Sequence, residues 1–196
     1  MREIKLERNT NETKISLALN LDGEGKYQID SGSGFFNHML ELFTKHGLFD
    51  MNLKCVGDIN VDFHHSAEDI GITMGKAFLS ALGDKVGIKR YGSIILPMDE
   101  SLILVALDIS GRAHLSFDVE FPDEYKVGDF DVELVEEFLQ AFVRESQITL
   151  HIKKLAGTNI HHIIEGIFKG LARALKEAVM VDEKGKNILP STKGVL

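Results

Sequence analysis

The chain has 196 residues, 44% apolar and 27% charged, a composition that excludes a disordered polymer and fits one large domain or two small fused ones. Subtracting 30 acidic from 22 basic residues leaves a net charge of −8, the wrong sign for a protein that coats nucleic acid, although a few basic side chains can still create a local anion pocket. The longest uninterrupted apolar run, Leu102–Leu107, is far below the roughly 18 residues of a membrane helix, and no apolar leader follows Met1, so a cytoplasmic protein with no nucleic-acid or membrane partner is expected.

Ile15, Leu17, Leu19 and Leu21 alternate with mostly polar neighbours and run into Asp22-Gly23, which predicts a strand, a turn and a return strand through Tyr27 and Ile29. Phe36, Met39, Leu40 and Phe43 repeat at helical spacing and stop at Gly47, the expected C-terminal glycine of a helix. A strand near Met51–Val56 and a helix from His64 to about Gly83 follow. Beyond these come strands at Ser93–Met98, Leu102–Asp108 and Leu115–Phe121, a helix from about Val132 to Ser146, a strand at Ile148–Ile152 and a final helix. The tail after Gly185 has no helical pattern and is expected to be mobile until a phosphate binds and then to close the site.

The same order of elements occurs twice, and the residues repeat with it. HHSAEDIGITMGKAF, from His64, lies over HHIIEGIFKGLARAL, from His161, at an offset of 97 residues; Ile70 meets Ile167, Met74 meets Leu171 and Ala77 meets Ala174. Upstream, Met39-Leu40 aligns with Phe138-Leu139, which makes His38 and Glu137 counterparts. The expectation is an α+β fold built from an internally duplicated half-domain, an antiparallel sheet with helices on one face. Residues 1–87 form the first half-repeat and 88–196 the second, fused into one compact domain.

Cys55 is the single cysteine, so any metal must be held by nitrogen and oxygen. Adjacent histidines on a helix point about 100° apart and suit two ions better than one. Glu68 stands four residues after His64 and three after His65, and Glu165 repeats this with His161 and His162, so each HHxxE cassette can bridge two metal sites. With His38 and Glu137 the candidate ligands are five imidazoles and three carboxylates, a set suited to Mn, Fe or Zn and, with open octahedral positions, to Mn or Fe. Arg90, Arg112 and the terminal Ser191-Thr192-Lys193-Gly194 have the chemistry of a phosphate site, and Lys169 lies on the same predicted helix as His161. From the residues alone, the chain is a dinuclear metalloenzyme acting on a phosphorylated small molecule. A metallohydrolase is the alternative, and a metal-storage protein would share the ligands without the basic residues.

The strings RNTNET, FFNHML, DFHHSAEDIGI, LVEEF, HHIIEGIFKGLARAL and PSTKGVL, in this order over nearly the whole chain, closely resemble imidazoleglycerol-phosphate dehydratase, the hydro-lyase of histidine biosynthesis. The resemblance implies a ribosomal-S5-domain-2-like duplicated fold, a large homo-oligomer of about 24 subunits, and two Mn2+ ions per active site bound between subunits. It implies metal ligation by His38, His64, His65, Glu68, Glu137, His161, His162 and Glu165, with Glu137 standing where the family commonly has histidine. Substrate contacts are implied for Glu12, His38, His46, Arg90, Arg112, His161, Lys169, Ser191, Thr192 and Lys193, with Arg90, Arg112, Ser191 and Lys193 on the phosphate. The implied reaction takes imidazoleglycerol phosphate to imidazoleacetol phosphate through a metal-bound imidazolate and a diazafulvene, with Glu165 and Glu12 as proton-handling groups.

Overall fold

The computed structural model describes residues 2–122 and 125–196. The first half comprises β1 (Glu3–Asn9), β2 (Thr13–Asn20), β3 (Tyr27–Asp30), α1 (Gly34–Gly47), β4 (Asp50–Gly57) and α2 (His64–Leu82). The second comprises β5 (Tyr91–Met98), β6 (Ser101–Asp108), β7 (His114–Asp118), the short β8 (Lys126–Val127) and β9 (Phe130–Asp131), α3 (Leu134–Ser146), β10 (Thr149–Ala156) and α4 (Ile160–Val179).

The two main sheets have the same topology. Their orders are β1-β2-β4-β3 and β5-β6-β10-β7, and in each sheet the third strand in chain order pairs in parallel with the last while the other pairings are antiparallel. The fold is thus α+β with an internally duplicated unit. Alternation aims Ile15, Leu17 and Leu19 of β2, and Ile103, Val105 and Leu107 of β6, at the helices, and leaves the opposite sheet faces to solvent.

Helices of one half pack on helices of the other, α2 on α3 and α1 on α4. Gly71 and Gly75 permit the first pairing: a Cβ on either would lie 2.6 Å from a backbone oxygen of α3, that of Phe138 or Phe142. Phe36, Phe138 and Phe168 join the halves in one aromatic cluster, with ring centroids 5.3 Å apart for Phe36–Phe138 and 5.5 Å for Phe138–Phe168. The helix turns that carry His38, Glu137 and the two HHxxE cassettes are therefore held by a core that both repeats share.

Three details depart from the expectations. The strand at Tyr27–Asp30 is not the hairpin partner of β2. Both edges of β2 are occupied, by β1 and β4, and β3 lies beyond β4. The β1 strand, with Ile4 and Leu6 only partly buried at the sheet edge, was not foreseen, nor was the β8–β9 ribbon. Gly47 is the last helical residue of α1, and Leu48 takes the left-handed conformation, φ 53°. Glycine is required at 47 for space, since a Cβ there would lie 2.4 Å from the Phe49 ring.

Candidate metal centre and its surroundings

Each interhelical pairing brings three potential ligands together. His38 of α1 meets His161 and Glu165 of α4, and Glu137 of α3 meets His64 and Glu68 of α2; within each group the nearest ligand atoms all lie within 4.8 Å of one another. The duplication relates the groups, since His38 corresponds to Glu137, His64 to His161 and Glu68 to Glu165. The i,i+4 geometry of a helix supplies two members of each and the neighbouring helix supplies the third.

The remaining histidine of each cassette is directed elsewhere. His65 Nδ1 lies 3.0 and 3.1 Å from the carboxylate oxygens of Asp58, and its Nε2 is 3.8 Å from Glu12 Oε1. His162 Nδ1 lies 2.7 Å from Glu100 Oε2, and its Nε2 is 3.7 Å from Asp99 Oδ2. The hydrogen bond to Asp58 raises the pKa of His65, and that to Glu100 raises the pKa of His162; in return His162 holds the Glu100 carboxyl down at about 2. Glu12 occupies the β1–β2 turn, and Asp99 and Glu100 occupy the β5–β6 turn, the equivalent place in the second half. Asp58, Asp99 and Glu100 are the polar partners that sequence reasoning missed. Recognising β1 would have aligned the two turns and exposed the second pair.

Glu165 is buried, 8% exposed, with one oxygen 3.5 Å from His161 Nε2 and the other 2.5 Å from Lys169 Nζ. Lys169 therefore points to the His161–Glu165 group. His46, on α1, lies in the same neighbourhood: burial and the positive charges of Lys169 and Arg173 hold its pKa below the ordinary value, against the opposing pull of Glu165. In the second group Arg144 reaches Glu68, Nη2 to Oε1 3.4 Å. Arg8 and Thr13, both flanking the β1–β2 turn, bond the buried Asp69 of α2 and so anchor the turn that carries Glu12.

The basic residues expected on phosphate gather at the other end of the helices. Arg90 donates from Nε and Nη2 to the two oxygens of Asp108, at 2.6 and 3.0 Å, and from Nη1 to the carbonyl of Pro190 at 2.7 Å. Arg112 Nη2 lies 3.9 Å from the same Asp108, and a Cβ on its neighbour Gly111 would lie 2.9 Å from the carbonyl carbon of Leu196. The tail is turned back on itself, with Ser191 Oγ donating to Val195 O and the Lys193 amide donating to Ser191 Oγ; Thr192 and Lys193 are exposed. It also covers the junction of the two halves, where the Gly87 amide donates to Ile188 O.

The backbone of Arg90 is bonded to Ala178, thirteen residues beyond Glu165 on α4, or about 20 Å along the helix axis. Within one chain, Arg90 and the His161–Glu165 group thus stand at opposite ends of the same helix.

No helix among the described residues is long and apolar enough to cross a membrane. The family model described as imidazoleglycerol-phosphate dehydratase matches residues 31–175. The chain is 61% identical over 189 residues to the imidazoleglycerol-phosphate dehydratase of Clostridium novyi, covering 96% of this chain and 95% of that protein. It is 56% identical to that of Desulforamulus reducens, covering 100% and 98%. The crystal structure of the Staphylococcus aureus enzyme superposes with a TM-score of 0.84 at 41% identity, covering 92% of this chain and 99% of that one. The Pyrococcus furiosus structure gives 0.84 at 38%, covering 97% and 100%. With a matching family model, relatives this similar over essentially their full lengths and the same fold, the chain belongs to the imidazoleglycerol-phosphate dehydratase family.

Proposed function

We propose that this chain dehydrates D-erythro-imidazoleglycerol phosphate to imidazoleacetol phosphate in the cytoplasm, using two manganese ions held where subunits of a large homo-oligomer meet. Family membership gives the coarser statement: an enzyme, a hydro-lyase of histidine biosynthesis. The observation that carries the finer one is the pair of equivalent groups, His38–His161–Glu165 and Glu137–His64–Glu68, each compact enough to take one ion. Imidazole and carboxylate without thiolate fit a hard or borderline divalent cation such as Mn2+. His65 and His162, directed away from these groups, are assigned to the ions of neighbouring copies, giving four protein ligands to each.

His38, His161 and Glu165 on one side, and His64, Glu68 and Glu137 on the other, would hold the ions, which when bound would supply Lewis-acid stabilisation of negative charge on the substrate's imidazole. The side chains do the rest. Glu165, buried between His161 and Lys169, is the group we assign to removing the carbon-bound proton, and Glu12, beside His65, is the second proton-handling group. Lys169 orients Glu165 and offers a donor to the substrate hydroxyls. Arg90, Arg112, Ser191, Thr192 and Lys193 hold the phosphate. Arg90 retains N–H groups for this after pairing with Asp108, because a guanidinium has five donors and three are in use.

The separation along α4 supports a site shared between chains. About 20 Å of helix axis separates the Arg90 backbone from Glu165 in one subunit, roughly twice the length of such a substrate, which favours a second copy bringing the missing end.

The test is to incubate metal-reconstituted protein with imidazoleglycerol phosphate and follow the enolate absorbance of the ketone in alkali. Ketone formation that depends on added Mn2+ is expected. Release of inorganic phosphate without ketone would favour the metallohydrolase reading instead.

A further inference from the structure

We propose that Asp58 and Glu100, neither of them a ligand in the proposed metal sites, are positioning residues that hold the rings of His65 and His162 with Nε2 presented outward to a neighbouring subunit's ion; this rests on the two-ion reading above. The two contacts are chemically the same. An ionised carboxylate only accepts hydrogen bonds, so its partner Nδ1 carries the hydrogen and the lone pair of the neutral ring is left on Nε2. A free imidazole divides its proton between the two nitrogens. Here one tautomer and one ring orientation are selected before any ion arrives.

The duplication makes the argument specific. His65 and His162 are equivalent residues, but their carboxylates are not: Asp58 follows the end of β4, whereas Glu100 sits in the β5–β6 turn. Two unrelated positions converge on the same ring atom of the two repeats. Inheritance from a common half-repeat does not explain that, and a shared requirement at Nδ1 does. Among the described residues the Asp58 carboxylate has no side-chain hydrogen bond other than that to His65, so holding the ring accounts for its placement. Glu100 has a second task, accepting the Asn159 amide at 2.9 Å and thereby fixing the turn in which His162 begins.

The experiment is a calorimetric titration of the metal-free chain with Mn2+ for wild type, Asp58→Ala, Asp58→Asn, Glu100→Ala and His65→Ala, alongside thermal denaturation of the metal-free forms. Asp58→Ala and Glu100→Ala are each expected to weaken Mn2+ binding about 10–100-fold, the usual effect of losing the carboxylate behind a ligating histidine. Asp58→Ala should do so without moving the melting temperature of the metal-free chain, and Asp58→Asn, whose amide oxygen still accepts from Nδ1–H, should recover most of the loss. Wild-type affinity in either alanine variant, with His65→Ala impaired, would overturn the positioning role alone. Wild-type affinity in His65→Ala would overturn the two-ion reading and this inference with it.

Discussion

Lys169 stands one helical turn after Glu165 on α4 and places Nζ 2.5 Å from its Oε1, so the buried carboxylate meets an ammonium on one oxygen and His161 on the other. Lys169→Met keeps much of the volume and removes the charge. The remaining carboxylate is then misoriented and poorly compensated, and kcat/KM is expected to fall by at least about a hundredfold, in line with truncating one partner of a buried, hydrogen-bonded charge pair. Steady-state kinetics with melting curves as a folding control check this. Unchanged kcat/KM would remove Lys169 from the site.

Glu137 occupies the place in its group that His38 occupies in the other. Glu137→His should therefore be tolerated, with activity within about tenfold of wild type, whereas Glu137→Ala should lose bound metal. Metal content by emission spectroscopy and turnover together decide. An inactive Glu137→His enzyme would show that the internal alignment is misplaced.

Much of this site was legible in the sequence because helical geometry is local. The pairs His64/Glu68 and His161/Glu165 follow from i,i+4 spacing, and the divergence of His65 and His162 from the about 100° between neighbours. The coupling of Lys169 to that pocket was readable in the same way. What failed depends on distant partners. Alternation in Ile15–Leu21 shows which face of a strand is buried and says nothing about which strand lies beside it, so β3 was paired with β2 instead of β4. Asp58 and Glu100 reach equivalent histidines from non-equivalent positions; no periodicity marks Asp58, and Glu100 stands out only once β1 is recognised and the β1–β2 turn is laid over the β5–β6 turn.

The close approach of α2 to α3 depends on Gly71. A larger residue there would push against the Phe138 carbonyl and force Glu68 and His64 away from Glu137. Gly71→Val is expected to destabilise the chain by about 1–3 kcal/mol, read from urea denaturation, with metal binding at this group weakened in the same variant. Wild-type stability would mean that the helices can move apart freely.

His46 provides a pH signature. Its pKa is lowered in the folded chain, chiefly by burial and then by Lys169 and Arg173, so the unfolded chain takes up the proton more readily. Its contribution to stability is complete above its unfolded value of 6.5 and is lost as the pH falls below that. Replacing it by Gln should flatten the decline in stability of the metal-free protein as the pH falls below about 6.5. Parallel profiles for the two proteins would contradict the assignment.

Cys55 is 4% exposed and its thiol is pushed up to about 11, mainly by burial. It should not react with a thiol reagent in the native protein at pH 8 and should react at once in denaturant, a simple absorbance assay. Fast native labelling would mean that the β4–α2 layer opens readily.

The most direct measurement is anomalous scattering at the manganese edge from crystals of the Mn2+-loaded protein. The account predicts two peaks per chain, one at His38, His161 and Glu165 and one at His64, Glu68 and Glu137, each approached by the Nε2 of a His65 or His162 from an adjoining subunit. A map with no peak at either group, or with both ions ligated entirely within one chain, would contradict it.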